Sequence, residues 1–273
     1  MLEETFHFKL ENNKILRAIT DTLSSIIDEC IIEVSPAELQ INAMDPSRIC
    51  LLRLTMKREN FDAYECKKGM KIPLNLDDFN KILKRSNSDD YLELDYNSKD
   101  KKVRLQMTKE GTTKKRNFSL ATIDIEQEDI PMENLLKIDY STKFNLELDL
   151  LSEALKDAEI YSEVLTLLTS EESLTLSSSG QIGEMEYVIA KEDLGDLIAT
   201  LETKETGSFS LLFLKTLMKL APITEQLKVS FKQENPLRLD FSLLEGNELA
   251  YFLAPRVEEV DFEDGELEEG EWS

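Results

Sequence analysis

Residues able to do chemistry are few in kind. His7 is the single histidine, set in strand-like alternation with no Cys or His beside it. A general base needs a positioned partner, so His7 reads as structural. Cys30, Cys50 and Cys66 are odd in number, lack metal-ligand spacing and have apolar or aromatic neighbours, the setting of reduced, buried thiols. Carboxylate pairs such as Asp77-Asp78, Asp89-Asp90 and Glu258-Glu259 arise by chance where 55 of 273 residues are acidic. Ser177-Ser178-Ser179-Gly180 is the nearest approach to a phosphate loop, but no Gly-Lys-Ser follows it, and it reads as a plain turn. With no nucleophile elbow, P-loop or dinucleotide fingerprint present, the chain reads as a non-enzyme with no catalytic residue, cofactor or metal.

The basic residues say more because they are scarce, 32 against 55 acids for a net charge of −23. Lys81, Lys84 and Arg85 stand at i, i+3 and i+4, opposite Phe79, Ile82 and Leu83, as on two faces of one helix. The equivalent stretch of the second half carries Lys215 and Lys219 with no acid from 208 to 223, and the first helix adds Lys14 and Arg17. Such faces can meet phosphates, or can be ordinary solvated helix faces. No aromatic residues interleave with them, so base stacking is not indicated. Contact with backbone charge alone gives sequence-independent binding.

The elements that carry these faces occur twice. Lys81-Ile82-Leu83-Lys84 followed by Tyr91-Leu92-Glu93-Leu94 recurs about 135 residues later as Thr216-Leu217-Met218-Lys219 followed by Gln226-Leu227-Lys228-Val229. Ile15, Ala18 and Ile19 likewise fall opposite Leu151, Ala154 and Leu155. So long a period indicates a duplicated domain. Hydrophobic spacing predicts strands over 2–10, 30–34, 39–44, 49–56, 71–75, 91–96, 102–107 and 116–121, with helices over 12–27 and 76–84. A second-half helix is expected over 150–163. Strand runs with two short helices per half point to an α+β fold, antiparallel sheet with helices on one side. We divide the chain into a first domain 1–121, a connector 122–134, a second domain 135–261 and an acidic disordered tail 262–273. The connector has no Lys or Arg but keeps Ile123, Ile125 and Ile130 at extended spacing, which suits a segment draped on a surface. Removing the tail beyond 256 would still leave −14, so the body is acidic too. The start, Met1-Leu2-Glu3-Glu4-Thr5, has neither a basic nor an apolar region, and no run nears the roughly 20 residues of a membrane helix, so an intracellular chain is expected.

Three segments resemble the sliding clamp family, the ring-shaped processivity factors of the proliferating cell nuclear antigen (PCNA) type, and most closely its archaeal members. They are Leu39-Gln40-Ile41-Asn42-Ala43-Met44-Asp45-Pro46-Ser47-Arg48-Ile49, then Pro73-Leu74-Asn75-Leu76 leading to Lys81-Ile82-Leu83-Lys84-Arg85, and finally Tyr251-Phe252-Leu253-Ala254-Pro255-Arg256-Val257-Glu258-Glu259. The resemblance spans about residues 1–261. It implies the DNA clamp fold: two similar domains per chain, three chains head to tail, sheets outside and helices lining a ring around duplex DNA. The implied lining is Lys14, Arg17, Lys81, Lys84, Arg85, Lys156, Lys215 and Lys219. A ring holds DNA topologically, so a mildly basic inner wall suffices, while an acidic exterior deters other contacts. One departure is the helix over 150–163, where Glu153, Asp157, Glu159 and Glu163 outnumber Lys156.

The resemblance further implies a client pocket at Met44, Ile49, Ile125, Ile130, Pro131, Pro236, Phe252, Leu253, Ala254 and Pro255, for DNA polymerase, clamp loader, ligase and flap nuclease. Glu128 departs from the apolar residue usual in that connector. Closure would join a strand near 114–120 (Lys114, Lys115, Arg116, Phe118) to one near 184–190 of the next subunit (Glu184, Glu186, Val188), edges of opposite charge. The partners expected are double-stranded DNA, self or related subunits as a trimer, and these clients, with no membrane; the place of work is cytoplasm or nucleoid, or the nucleus in a eukaryote. Alternatives are a checkpoint-type or heterotrimeric clamp subunit, a monomeric scaffold of the same fold, and an acidic metal-dependent hydrolase.

Overall fold

The structure is a computed structural model that describes residues 4–87, 90–125, 132–194 and 204–256. The first half runs β1 (Thr5–Leu10), α1 (Lys14–Leu23), β2 (Glu29–Val34), β3 (Glu38–Met44), β4 (Cys50–Lys57), β5 (Ala63–Cys66), β6 (Met70–Asn75), α2 (Leu76–Leu83), β7 (Asp90–Asn97), β8 (Lys102–Lys109) and β9 (Lys115–Ala121). After a short helix α3 (Met132–Leu135), the second half runs β10 (Thr142–Leu146), α4 (Leu148–Ala158), β11 (Val164–Thr169), β12 (Ser173–Gly180), β13 (Gly183–Ala190) and β14 (Glu205–Ser210). It ends with α5 (Leu211–Leu217), which a 3-10 turn (Met218–Ile223) continues, then β15 (Thr224–Phe231), β16 (Leu237–Leu243) and β17 (Asn247–Leu253). Apart from β5, the two halves have the same element order.

Pairing repeats as well. The first half forms ladders β1-β7-β8-β9 and β4-β3-β2-β6; the second forms β10-β15-β16-β17 and β13-β12-β11-β14, all antiparallel. The halves then join edge to edge. Strand β17 pairs with β4, from Glu248 opposite Thr55 to Leu253 opposite Cys50, and makes one eight-stranded sheet across the two repeats. Strand faces alternate as amphipathic sheets require: Phe6, Phe8 and Leu10 of β1 and Phe144 and Leu146 of β10 all enter the main core.

Local chemistry explains three differences from the expected elements. Helix α1 ends at Leu23, short of residue 27, because Ser24 and Ser25 donate their hydroxyls to Asp21 O (3.2 and 2.9 Å) and turn the chain. Strand β5 has only one large apolar residue, Tyr64, and no alternation to mark it; pairing with β1 and ring contacts to Phe6 and Phe61 (5.2 and 5.0 Å) create it. Ser177-Ser178-Ser179-Gly180 is the end of strand β12 and not a turn. Ser178 is buried there, donating to Val164 O (2.9 Å), and a Cβ on Gly180 would lie 1.9 Å from Tyr161 O. Helix α2 needs less context: the Asn75 side chain accepts from Asp78 N (2.9 Å) and Asp77 and Asp78 complement the helix dipole.

Candidate functional site

Three surfaces bring the singled-out residues together. The first is a helical row. Helix α1 packs against α2 on one side and the 3-10 turn of residues 218–223 on the other, and α4 packs against α5 and the same turn. All eight anticipated basic residues lie on this row or at its helix ends, exposed or half-buried. Four of the eight are paired with carboxylates among the described residues. Lys81 bonds Asp77 and Asp78 (2.7 and 3.1 Å), Lys215 bonds Glu159, and Lys84 bonds Asp21 (2.5 Å), which also faces Lys219 (3.8 Å). Burial alone would raise the Asp21 carboxyl, but hydrogen bonds from Lys84 and Asn80 and the nearby charge of Lys219 outweigh it and hold it below the ordinary value. Sequence reasoning missed Asp21, since nothing in an acidic chain marks one aspartate as shared between two lysines distant in sequence.

The second surface lies where the halves join. The Asp45 carboxylate accepts from Ser47 N, Ile49 N and Cys50 N (3.0, 2.7 and 2.6 Å), which winds 45–50 into a tight turn. Ala254 N donates to Ile49 O (2.8 Å), tying the end of β17 to that turn. Beside it, Met132 of α3 packs on Leu51 and Phe252, flanked by Met44, Leu135, Leu136 and Ala250. Arg53 adds an ion pair to Glu133 (3.3 Å). Met44, Ile49, Phe252, Ala254 and Pro255 are thus gathered, and Pro236, just before β16, accepts from the Tyr140 hydroxyl (2.9 Å). Leu253 is a correction. It is fully buried in the main core, because alternation along β17 turns it away from the face that Phe252 shares with Met132. Ile125 follows a segment that Ile123 N ties to Pro73 O of β6 (3.2 Å), four strands from β17. Ile130, Pro131, Glu128 and the acidic tail lie outside the described residues. Met132, whose only cue was an apolar residue after an acidic run, went unrecognised.

The third surface is a pair of sheet edges, β9 and β13. Matching one ladder of each repeat through Phe8 and Phe144, and the other through Leu74 and Phe209, and extending each register puts β9 on β17 and β13 on β4. Phe118 then corresponds to Tyr251 and Met185 to Leu52, two residues that oppose each other in the joint between the halves. Tyr251 and Leu52 are 0 and 1% exposed, whereas Phe118 and Met185 are half-buried and Val188 is 60% exposed. Arg116 is not free for a partner: it bonds Asp90 and donates to Arg85 O (2.6 Å) within its own chain.

The remaining candidates do structural work. His7 Nδ1 meets Asp95 Oδ1 (2.9 Å) across the β1–β7 ladder. Among the described residues no group of three or more His, Cys, Asp or Glu is placed to hold a metal ion, and no helix is long and apolar enough to cross a membrane.

Comparison with known proteins accounts for the arrangement. Residues 1–129 match the proliferating cell nuclear antigen N-terminal domain and residues 134–256 its C-terminal domain. The chain is 32% identical over 254 residues to the DNA polymerase sliding clamp of Thermococcus gammatolerans, covering 93% of this chain and 99% of the relative. PCNA from Thermococcus kodakaraensis has a similar structure, with a TM-score of 0.81 at 24% identity over 92% of this chain and 100% of that one. Proliferating cellular nuclear antigen from Entamoeba histolytica also reaches 0.81, at 25% identity over 92% and 99% of the two chains. Both domain models match in order and together span most of the chain, which therefore belongs to the PCNA family of DNA sliding clamps, non-enzymatic processivity factors.

Proposed function

We propose that three copies of this chain close head to tail into a ring around duplex DNA, helices inward, and that the ring holds DNA polymerase on its template. The observation that carries this reading is the β17–β4 joint. The chain already makes that edge-to-edge contact once, internally, and carries a second set of matching edges, β9 and β13, left free among the described residues. Transferring the internal register sets Phe118 opposite Met185, Arg116 opposite Tyr187 and Lys115 opposite Val188, with Glu186 on the diagonal from Lys115. Both edges belong to one chain and differ in charge, which favours a ring of identical subunits over one that needs related chains.

The wall of the ring would be Lys14, Arg17, Lys81, Lys84, Arg85, Lys156, Lys215 and Lys219, meeting phosphates without reading bases. On the outside, clients would insert apolar anchors beside Met44, Ile49, Phe252, Ala254, Pro255 and Pro236, with Ile130 and Pro131 of the connector proposed for the same pocket. Few-anchor binding of this kind exchanges readily, which suits a platform shared by polymerase, clamp loader, ligase and flap nuclease. The domain division 1–121, 122–134 and 135–261 belongs to the same reading, as does work at the nucleoid or in the nucleus.

Light scattering over a range of concentrations tests closure. The expected species has about 94 kDa, three times the 31.3 kDa chain, and is retained on nicked circular DNA until the circle is cut. Met185→Glu should give a folded 31.3 kDa monomer that circular DNA does not retain. A wild-type chain that stays monomeric, or a Met185→Glu chain that stays trimeric, would overturn this closure.

A further inference from the structure

Asp21 stands apart among the acids of the helical row. Lys81 is paired with Asp77 and Asp78 of its own helix, and all three side chains are well exposed, so these contacts are loose. Asp21 is instead held from several sides. Lys84, just beyond α2, bonds its Oδ1 at 2.5 Å, and Asn80 of α2 donates to the same oxygen at 3.2 Å. Asn80 also donates to Ser24 at 2.7 Å, which anchors the amide at the end of α1. From the other repeat, Lys219 lies 3.8 Å from Oδ2 and donates to Ser25 Oγ at 2.6 Å. One carboxylate therefore sits between two wall lysines, one from each half of the chain, where the halves meet.

Taking the ring reading above as its basis, we infer that Asp21 is a built-in brake on the hold of the inner wall on DNA, a positioning residue that offsets one of the two charges of Lys84 and Lys219. The carboxylate occupies the place a DNA phosphate would take between the two ammonium groups. Each phosphate must then exchange with Asp21 and not with solvent alone. The wall keeps both lysines at defined positions yet presents one net positive charge there. A weaker hold at this junction leaves the duplex free to move through the ring, while topology prevents its loss.

The test uses the full-length trimer and a fluorescent linear 40-bp duplex, with Kd measured from about 50 to 200 mM KCl. Asp21→Asn adds one net positive charge per subunit to the wall without changing side-chain shape. If one such charge per bound duplex meets a phosphate, the slope of log affinity against log salt steepens by about 0.9, and the advantage of the variant shrinks roughly threefold across that range. Adding Lys84→Gln and Lys219→Gln should remove the advantage. A trimeric Asp21→Asn with the wild-type slope, or a gain that persists in the triple variant, would overturn the inference. Lys14, which has no ion pair among the described residues, provides an independent comparison that does not depend on Asp21→Asn assembling. In the otherwise wild-type chain, Lys84→Gln should reduce the slope clearly less than Lys14→Gln, and equal reductions would count against the brake. A wild-type chain that is monomeric or is not retained on nicked circular DNA fails the ring reading and the inference with it; a retained trimer with no gain in duplex affinity or slope from Asp21→Asn rejects the brake alone.

Discussion

Burial pushes the Cys30 and Cys50 thiols up to about 12, with no nearby cation to counter it. The thiolate is the reactive form, so at pH 8 only about one in 10⁴ of these groups is ionised. Cys66 is half-buried and also shifted upward by burial, but it reaches solvent. A chromogenic disulfide reagent should therefore titrate one thiol in the native chain, Cys66, and three in denaturant. The native rate should climb with pH, since raised values keep the thiols protonated. Fast modification of two or three native thiols would contradict this burial. The inertness of Cys30 and Cys50 was legible in their apolar neighbours, but the same expectation of burial fails for Cys66, which ends the edge strand β5 and stays partly exposed. The role of Asp21 was not legible, because its partners are set by helix packing and not by spacing along the chain.

At the scale of elements, neighbouring residues at the C-terminal end of β17 behave differently. Ile49 and Ala254 lie at the surface of the junction, while Leu253 is fully buried in the core. Ile49→Glu should leave the trimer and its thermal unfolding unchanged and weaken a polymerase-derived client peptide at least tenfold, as loss of one apolar anchor does. Leu253→Ala should act in the opposite way, destabilising the fold by about 2–5 kcal/mol through the cavity it leaves. Denaturant unfolding of both variants beside peptide titration checks the contrast; an Ile49→Glu chain that binds the peptide normally would displace the groove from this turn. The strands and helices themselves were mostly readable from alternation and spacing. Strand β5 and the early stop of α1 were not, since one depends on aromatic contacts across strands and the other on two serine hydroxyls.

For the whole molecule, charge and topology divide the work. A net charge of −23 works against non-specific binding to nucleic acid, so the wall must act through a few positions facing the duplex at close range. Lys14 and Lys156 stand on α1 and α4, the matching helices of the two halves, and neither has an ion pair among the described residues. Reversing both to Glu should keep the trimer mass yet shorten polymerase products roughly tenfold at moderate salt, because six wall charges change sign per ring. Product length that does not change would remove these helices from the DNA path. The acidic residues of α4 weaken one part of the wall, and the carboxylate pairing of Lys81, Lys84, Lys215 and Lys219 extends that moderation around it.

The sequence by itself determined the duplication, the α+β class, the placement of the scarce bases on helices and the motifs that mark the family. These follow from local periodicity and composition, which each segment carries alone. Only the tertiary structure decided that the halves share one sheet through β17 and β4, and that β9 and β13 remain as its counterparts, unpaired among the described residues. It also decided that Leu253 is core and that Asp21 faces two lysines. The physical reason is common to all four: edge pairing, burial and ion pairing depend on which residues meet after distant segments pack, and that is not written in the spacing of any one segment.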